Sequence, residues 1–102
     1  MRHFKAEFFK TLAHPTRIRI LDALREGPLT VAELQESLSL EQPNVSQHLG
    51  LLRAKGFVQS TREGTSMRYA IADGAILLLL DTVRDIYDRQ LSSNRADFEA
   101  TR

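Results

Sequence analysis

The 102-residue chain has no cysteine, no tryptophan, only three prolines and five glycines, and a formal net charge of just +1 at neutral pH. Without thiols there are no disulfides, no thiolate metal ligands and no cysteine-based redox sensing. So small a net charge does not by itself announce a nucleic-acid partner. The longest apolar run, Ala75 to Leu80, falls far short of the ~20 residues a membrane-spanning helix needs. The opening MRHFKAEFF lacks the long apolar segment and small-residue cleavage site of a signal peptide. Together these absences predict a cytoplasmic protein with no membrane partner. A glycine-rich phosphate loop, a cysteine nucleophile and a Ser/His/acid set at triad spacing are missing too, and Ser46 and His48 fall on different sides of one helix, so the sequence argues against an enzyme.

What is present is a globular composition, 42% hydrophobic and 26% charged. A chain of this length forms one domain and can bury roughly two thirds of its unfolded surface without metal or disulfide staples. Its charge is unevenly distributed. Arg53, Lys55, Arg62 and Arg68 face a single acid, Glu63, in the middle of the chain, whereas Asp81, Asp85 and Asp88 dominate the last third.

The stretch PNVSQHLGLLRAKG, Pro43 to Gly56, organises the rest. Val45, Leu49 and Leu52 recur at i, i+4 and i+7 and line one helical face. About half a turn away lie Pro43, Ser46, Gln47, Gly50 and Ala54, flanked by Asn44 and Arg53, none of them large and apolar. Such a face can approach a groove closely. Asn and Gln can pair with adenine edges, Ser can reach either kind of base, and Gly50 removes bulk. The same residues also suit an ordinary solvated face, and the neighbouring segments are what favour DNA.

Before this helix, Phe4, Phe8 and Leu12, with Phe9 beside them, give a first helix an aromatic stripe that must dock elsewhere. His14 and Pro15 break the pattern, and Pro15 suits the first position of a second helix. Its expected inner face is Ile18, Leu21 and Leu24, with Ile20 adjacent, and Gly27 and Pro28 stop it. Thr30, with Glu33 three residues on and Leu29 and Leu34 around them, has the parts of a capping box and staple for a third helix reaching about Leu38. The connection Ser39 to Gln42 then suits the turn of a helix-turn-helix. After Gly56 the apolar period shifts towards two. Phe57–Glu63 and Met67–Ala72 read as a β-hairpin around Gly64, Thr65 and Ser66. From Asp73, a reasonable cap, a long helix is expected to about Leu91. The fold class expected is mainly α with a β-hairpin wing: four helices, two strands and a final helix, over residues 1–91, with 92–102 a flexible tail. Ile76, Leu79, Leu80, Val83, Ile86, Tyr87 and Leu91 form a broad stripe, and Leu77 and Leu78 widen it beyond what one small core requires. The surplus implies a second copy, with Phe4, Phe8, Phe9, Leu79, Leu80, Val83, Ile86 and Tyr87 at a two-fold interface.

The segments FFKTLAHPTRIRIL, LTVAELQESL, PNVSQHLGLLRAKGFV and REGTSMRYAI, in this order and with the usual gaps, resemble the ArsR family of bacterial transcriptional repressors. The resemblance implies a winged helix-turn-helix homodimer, joined through its first and last helices, that binds an imperfect palindrome in promoter DNA until an effector loosens it. It also exposes departures. Thr30 and Ala32 stand where arsenite- or cadmium-sensing members carry Cys-x-Cys. Asp73 matches one ligand of the zinc- and nickel-sensing members, but Ala75, Ile86 and Arg89 stand about where their other ligands would be. No metal site and no cofactor are therefore expected, and nothing in the sequence selects an effector.

On these grounds Asn44, Ser46 and Gln47 are the candidate base contacts. Gln42, His48, Arg53, Lys55, Arg62, Thr65, Ser66 and Arg68 are candidates for holding the DNA backbone from the helix and the wing. His48, nearer the core edge of its helix, suits packing or a phosphate bond, with base reading as the alternative, and His3 and His14 suit surface or capping positions, because no carboxylates or thiols accompany them at ligand spacing. Two other readings stay open at this stage. One is a winged-helix interaction module without DNA binding; the other is a repressor responding to a metal or small molecule at a non-standard site.

Overall fold

The structure, a computed structural model, describes the backbone of residues 1–100 and the side chains of residues 1–94. Its elements follow the order α1 (Arg2–Leu12), α2 (Pro15–Ala23), β1 (Leu29–Thr30), α3 (Val31–Leu38), α4 (Gln42–Ala54), β2 (Val58–Glu63), β3 (Ser66–Ile71) and α5 (Ala75–Ala100), with one 3-10 turn, Leu24–Glu26, after α2. This is a winged helix-turn-helix.

Local chemistry sets most of the boundaries. His14 caps α2, its Nδ1 accepting from Thr16 N at 3.2 Å, and Pro15 follows in the first turn. Thr30 and Glu33 form the reciprocal capping box of α3: Glu33 N donates to Thr30 Oγ1 at 3.2 Å and Thr30 N to Glu33 Oε1 at 2.9 Å. At the end of α4, Gly56 N donates to Arg53 O at 3.1 Å and Phe57 N to Leu52 O at 2.8 Å. These are the two bonds of a Schellman stop, which requires the positive φ of 83° that Gly56 supplies. Asp73 Oδ1 accepts from Ala75 N at 2.9 Å and starts α5.

The core lies between the helices and the root of the wing. Leu21, Leu34, Val45, Leu49 and Leu52 are wholly buried, with Phe57 and Val58 closing the side towards the sheet. Phe8 docks α1 on this core, its ring centroid 4.7 Å from that of Phe57. Ile20 turns out to be a core residue and Ile18 only half-buried, lining a groove between α2 and α5.

Three expectations are corrected. The sheet has three strands in the order β1-β3-β2, because Leu29 and Thr30 pair antiparallel with Tyr69 and Arg68. The hairpin turn is tighter than expected: Ser66 already pairs with Glu63, leaving Gly64 and Thr65 at the tip, with Gly64 at φ 64°. The last helix does not end near Leu91 but continues to Ala100, so residues 92–100 have helical backbone; residues 101–102, the rest of the expected tail, lie outside the described residues.

α5 touches the body of the domain mainly through its first turns. Ile76 is buried, Leu79 and Leu80 pack against the core, and Asp81 meets Arg25 at 2.9 Å. Beyond them Val83, Ile86, Tyr87 and Leu91 are exposed, as are Leu78 and, on α1, Phe4 and Phe9. Of the expected interface residues, Phe8, Leu79 and Leu80 are thus partly spent on the protomer's own core. Among the described residues no helix is long and apolar enough to cross a membrane.

Candidate nucleic-acid interface

Burying Val45, Leu49 and Leu52 fixes the rotation of α4 about its axis. Once they face inward, Gln42, Asn44, Ser46, Gln47 and Gly50 must face out, and all five are exposed. A Cβ added at Gly50 would meet nothing within 4 Å, so the space over this face is open. Ser39, at φ 54°, ends α3, and a short connection sets α4 at an angle to it. Arg19 Nη2 closes the corner by donating to Leu38 O at 2.9 Å.

The wing stands beside this face. Gln42 and Ser46 of α4 share a cleft of about 410 Å³ with Thr65 and Ser66 of the wing, across Thr30 and Ala32. The structure therefore brings together part of the expected base-reading set and the expected wing tip. Arg53 is exposed near the far end of α4. Lys55, just past that end, leans towards α1, 3.9 Å from Glu7.

Besides Lys55, two of the expected backbone-binding residues are engaged within the protein. Arg68 Nε donates to Glu63 Oε2 at 2.7 Å, and its Nη1 lies 3.2 Å from Pro28 O and 3.5 Å from Glu33 Oε1. Its guanidinium ties the wing to the segment just before β1 and to α3, and a phosphate would have to compete with two carboxylates. His48 is half-buried, accepting on Nδ1 from Arg17 Nε at 3.3 Å. Burial first, then His14 and Arg17, hold its pKa below the ordinary 6.5. Arg62 is different: it is exposed, and its side-chain bond to Gly64 O is a long 3.4 Å.

Arg17 was not visible as a site residue because the apolar pattern of α2 simply places it outside. The residues at the family's metal-binding positions do not fit a metal. Thr30 Oγ1 is spent on the cap of α3, Ala32 has no donor atom, and Asp73 caps α5. Among the described residues no three His, Asp or Glu side chains gather as a ligand set.

Residues 14–60 match the profile of the bacterial regulatory protein family arsR. Over 96% of its length the chain is 50% identical to the HTH-type transcriptional regulator Rv0081 of Mycobacterium tuberculosis, spanning 87% of that protein. The chain belongs to the ArsR family. Its fold agrees: the crystal structure of Rv0081 superposes with a TM-score of 0.84 at 48% identity, covering 91% of this chain and 94% of that one. The solution structure of a homodimeric winged helix-turn-helix DNA-binding domain, Mb0332 of Mycobacterium bovis, gives 0.79 at 30% identity over 87% of this chain and 82% of that one. A biofilm growth-associated repressor of Agrobacterium fabrum is 37% identical over 80% of this chain and 70% of its own length. This ArsR-family chain is thus a winged helix-turn-helix transcriptional regulator, and α4 is the second helix of its helix-turn-helix.

Proposed function

We propose that the protein is a homodimeric repressor that binds an inverted-repeat operator in promoter DNA, reading bases with Asn44, Ser46 and Gln47. The observation that carries this reading is the outer face of α4: short, polar, open over Gly50, and flanked by the wing tip in one concave surface. A helix with that face can enter a major groove while Thr65, Ser66 and Arg62 hold phosphates alongside. Arg53 and Lys55 add backbone contacts from the end of α4. His48, turned towards Arg17, serves chiefly to hold α4 in place.

Dimerisation follows from the apolar surface left on α1 and the outer part of α5. Phe4, Phe9, Leu78, Val83, Ile86, Tyr87 and Leu91 are all exposed, an apolar surface that a second copy would cover. A two-fold axis there would present two α4 helices to successive turns of one duplex.

The test is selection from a pool of random-sequence duplexes with the purified full chain, followed by sedimentation of the complex. Enrichment of an inverted repeat bound by two chains is expected. A monomer that enriches no sequence would overturn the reading in favour of a protein-interaction module.

A further inference from the structure

The Arg17 side chain bridges two helices. Its Nη1 donates to Thr11 O at 3.0 Å, at the end of α1, and its Nε donates to Nδ1 of His48 at 3.3 Å, in the middle of α4. The His48 ring lies 4.5 Å, centroid to centroid, from that of His14. His14 is itself fixed as the cap of α2. One residue of α4, next to Gln47, is thereby tied to the helix that carries Phe4 and Phe9.

We infer that Arg17 is a positioning residue: through neutral His48 it sets the recognition helix relative to α1, and protonation of His48 releases that tie. The inference rests on the reading of α4 as the DNA-contacting helix. An imidazole has an acceptor nitrogen only while neutral; once protonated, both nitrogens donate, and a guanidinium has no acceptor to offer. Acid therefore replaces a hydrogen bond by two adjacent cations. The titratable and charged groups facing His48 are His14 and Arg17, and neither carries a negative charge that could compensate a proton on it. Around Arg17, Glu7 and Lys10 of α1 and Lys55 beyond α4 line one depression, where Glu7 pairs with Lys55. The lowered pKa of His48 agrees with a contact that is formed at neutral pH and broken by acid.

The direction is diagnostic, because positive charge added to a DNA-binding protein ordinarily tightens binding to any duplex. The tie predicts the reverse for the preferred sequence. The probes are the duplex enriched in the selection above and a scrambled duplex of equal length, measured by fluorescence anisotropy at fixed ionic strength. From about pH 7.5 to about pH 5.5, across the histidine range, the preference of the wild type for the enriched duplex is expected to fall by about fivefold or more. His48→Gln, whose amide oxygen accepts from Arg17 at either pH, is expected to hold its preference to within about twofold. Without DNA, an NMR titration of the full chain should find the His48 midpoint moved upward by Arg17→Gln, since a neighbouring cation is removed. A wild-type preference that is unchanged or rises in acid, an equal fall in His48→Gln, or an unmoved midpoint overturns the inference. If no duplex is enriched, the DNA reading fails instead, and the midpoint alone decides whether Arg17 and His48 are coupled.

Discussion

Arg68 and Glu63 sit at the two sides of the wing's turn, and the guanidinium of the first donates to the carboxylate of the second at 2.7 Å. Glu63 first, and Glu33 after it, hold Arg68 more firmly protonated than a free arginine. On the proposed reading, a wing braced in this way leaves phosphate contact to Arg62, Thr65 and Ser66 rather than to Arg68.

The two arginines should therefore differ in salt dependence. Each phosphate neutralised adds about one unit to the slope of log K against log salt. Arg62→Ala is expected to lower the slope by about one and to weaken preferred and random duplexes alike. Arg68→Ala should change it by clearly less. Equal slope losses, measured by titration over a range of salt, would show that Arg68 leaves Glu63 on binding DNA.

The capping box of α3 predicts both a stability loss and a pH dependence. Thr30→Ala is expected to cost about 1 kcal/mol in urea unfolding. Hydrogen bonds from the Thr30 backbone and side chain, with Arg68 nearby, lower the pKa of Glu33 from its ordinary 4.5. The unfolded chain thus binds the proton more readily than the folded one, so the contribution is complete above that value and lost as the pH falls through the depressed one. Glu33→Gln, which can still serve the box, should flatten this part of the stability curve.

Burial and the proposed DNA contact divide along α4. Leu49 is wholly buried, and Leu49→Ala should cost about 2–5 kcal/mol of stability. Exposed Ser46→Ala should change stability by no more than about 0.5 kcal/mol and act on DNA affinity. Chemical unfolding and anisotropy on the same two variants check the division.

Placing charge in the apolar face of α1 and α5 should separate the copies without unfolding them. Phe9 is 53% exposed and Ile86 43% in the protomer. Phe9→Lys and Ile86→Arg are expected to shift sedimentation from dimer to monomer while the far-ultraviolet circular dichroism keeps its helical signal. A dimer of unchanged affinity in both variants would place the interface elsewhere.

Much of this architecture was legible because it is encoded locally. The spacing of Val45, Leu49 and Leu52 gave the rotation of α4, and the pairing of Thr30 with Glu33 gave the start of α3. β1 was not legible: two residues carry no periodicity, and only pairing with Tyr69 and Arg68, distant in sequence, makes them a strand. The end of α5 was misplaced because apolar periodicity stops near Leu91, while the backbone stays helical through the polar residues beyond it. The outward residues of α4 could be named as a site, but Arg68 and His48 could not be recognised as already engaged, since Glu63 meets Arg68 only once the hairpin register is set, and Glu33 and Arg17 come from other elements.

Sequence reading by the outer face of α4 rests above all on Gln47. A paired hydrogen bond to a base is worth about 1–3 kcal/mol of discrimination. Measured on the enriched and scrambled duplexes side by side, Gln47→Ala should lose about tenfold of the preference between them while binding the scrambled duplex almost as before. An equal loss of affinity for both duplexes would contradict base reading by this helix.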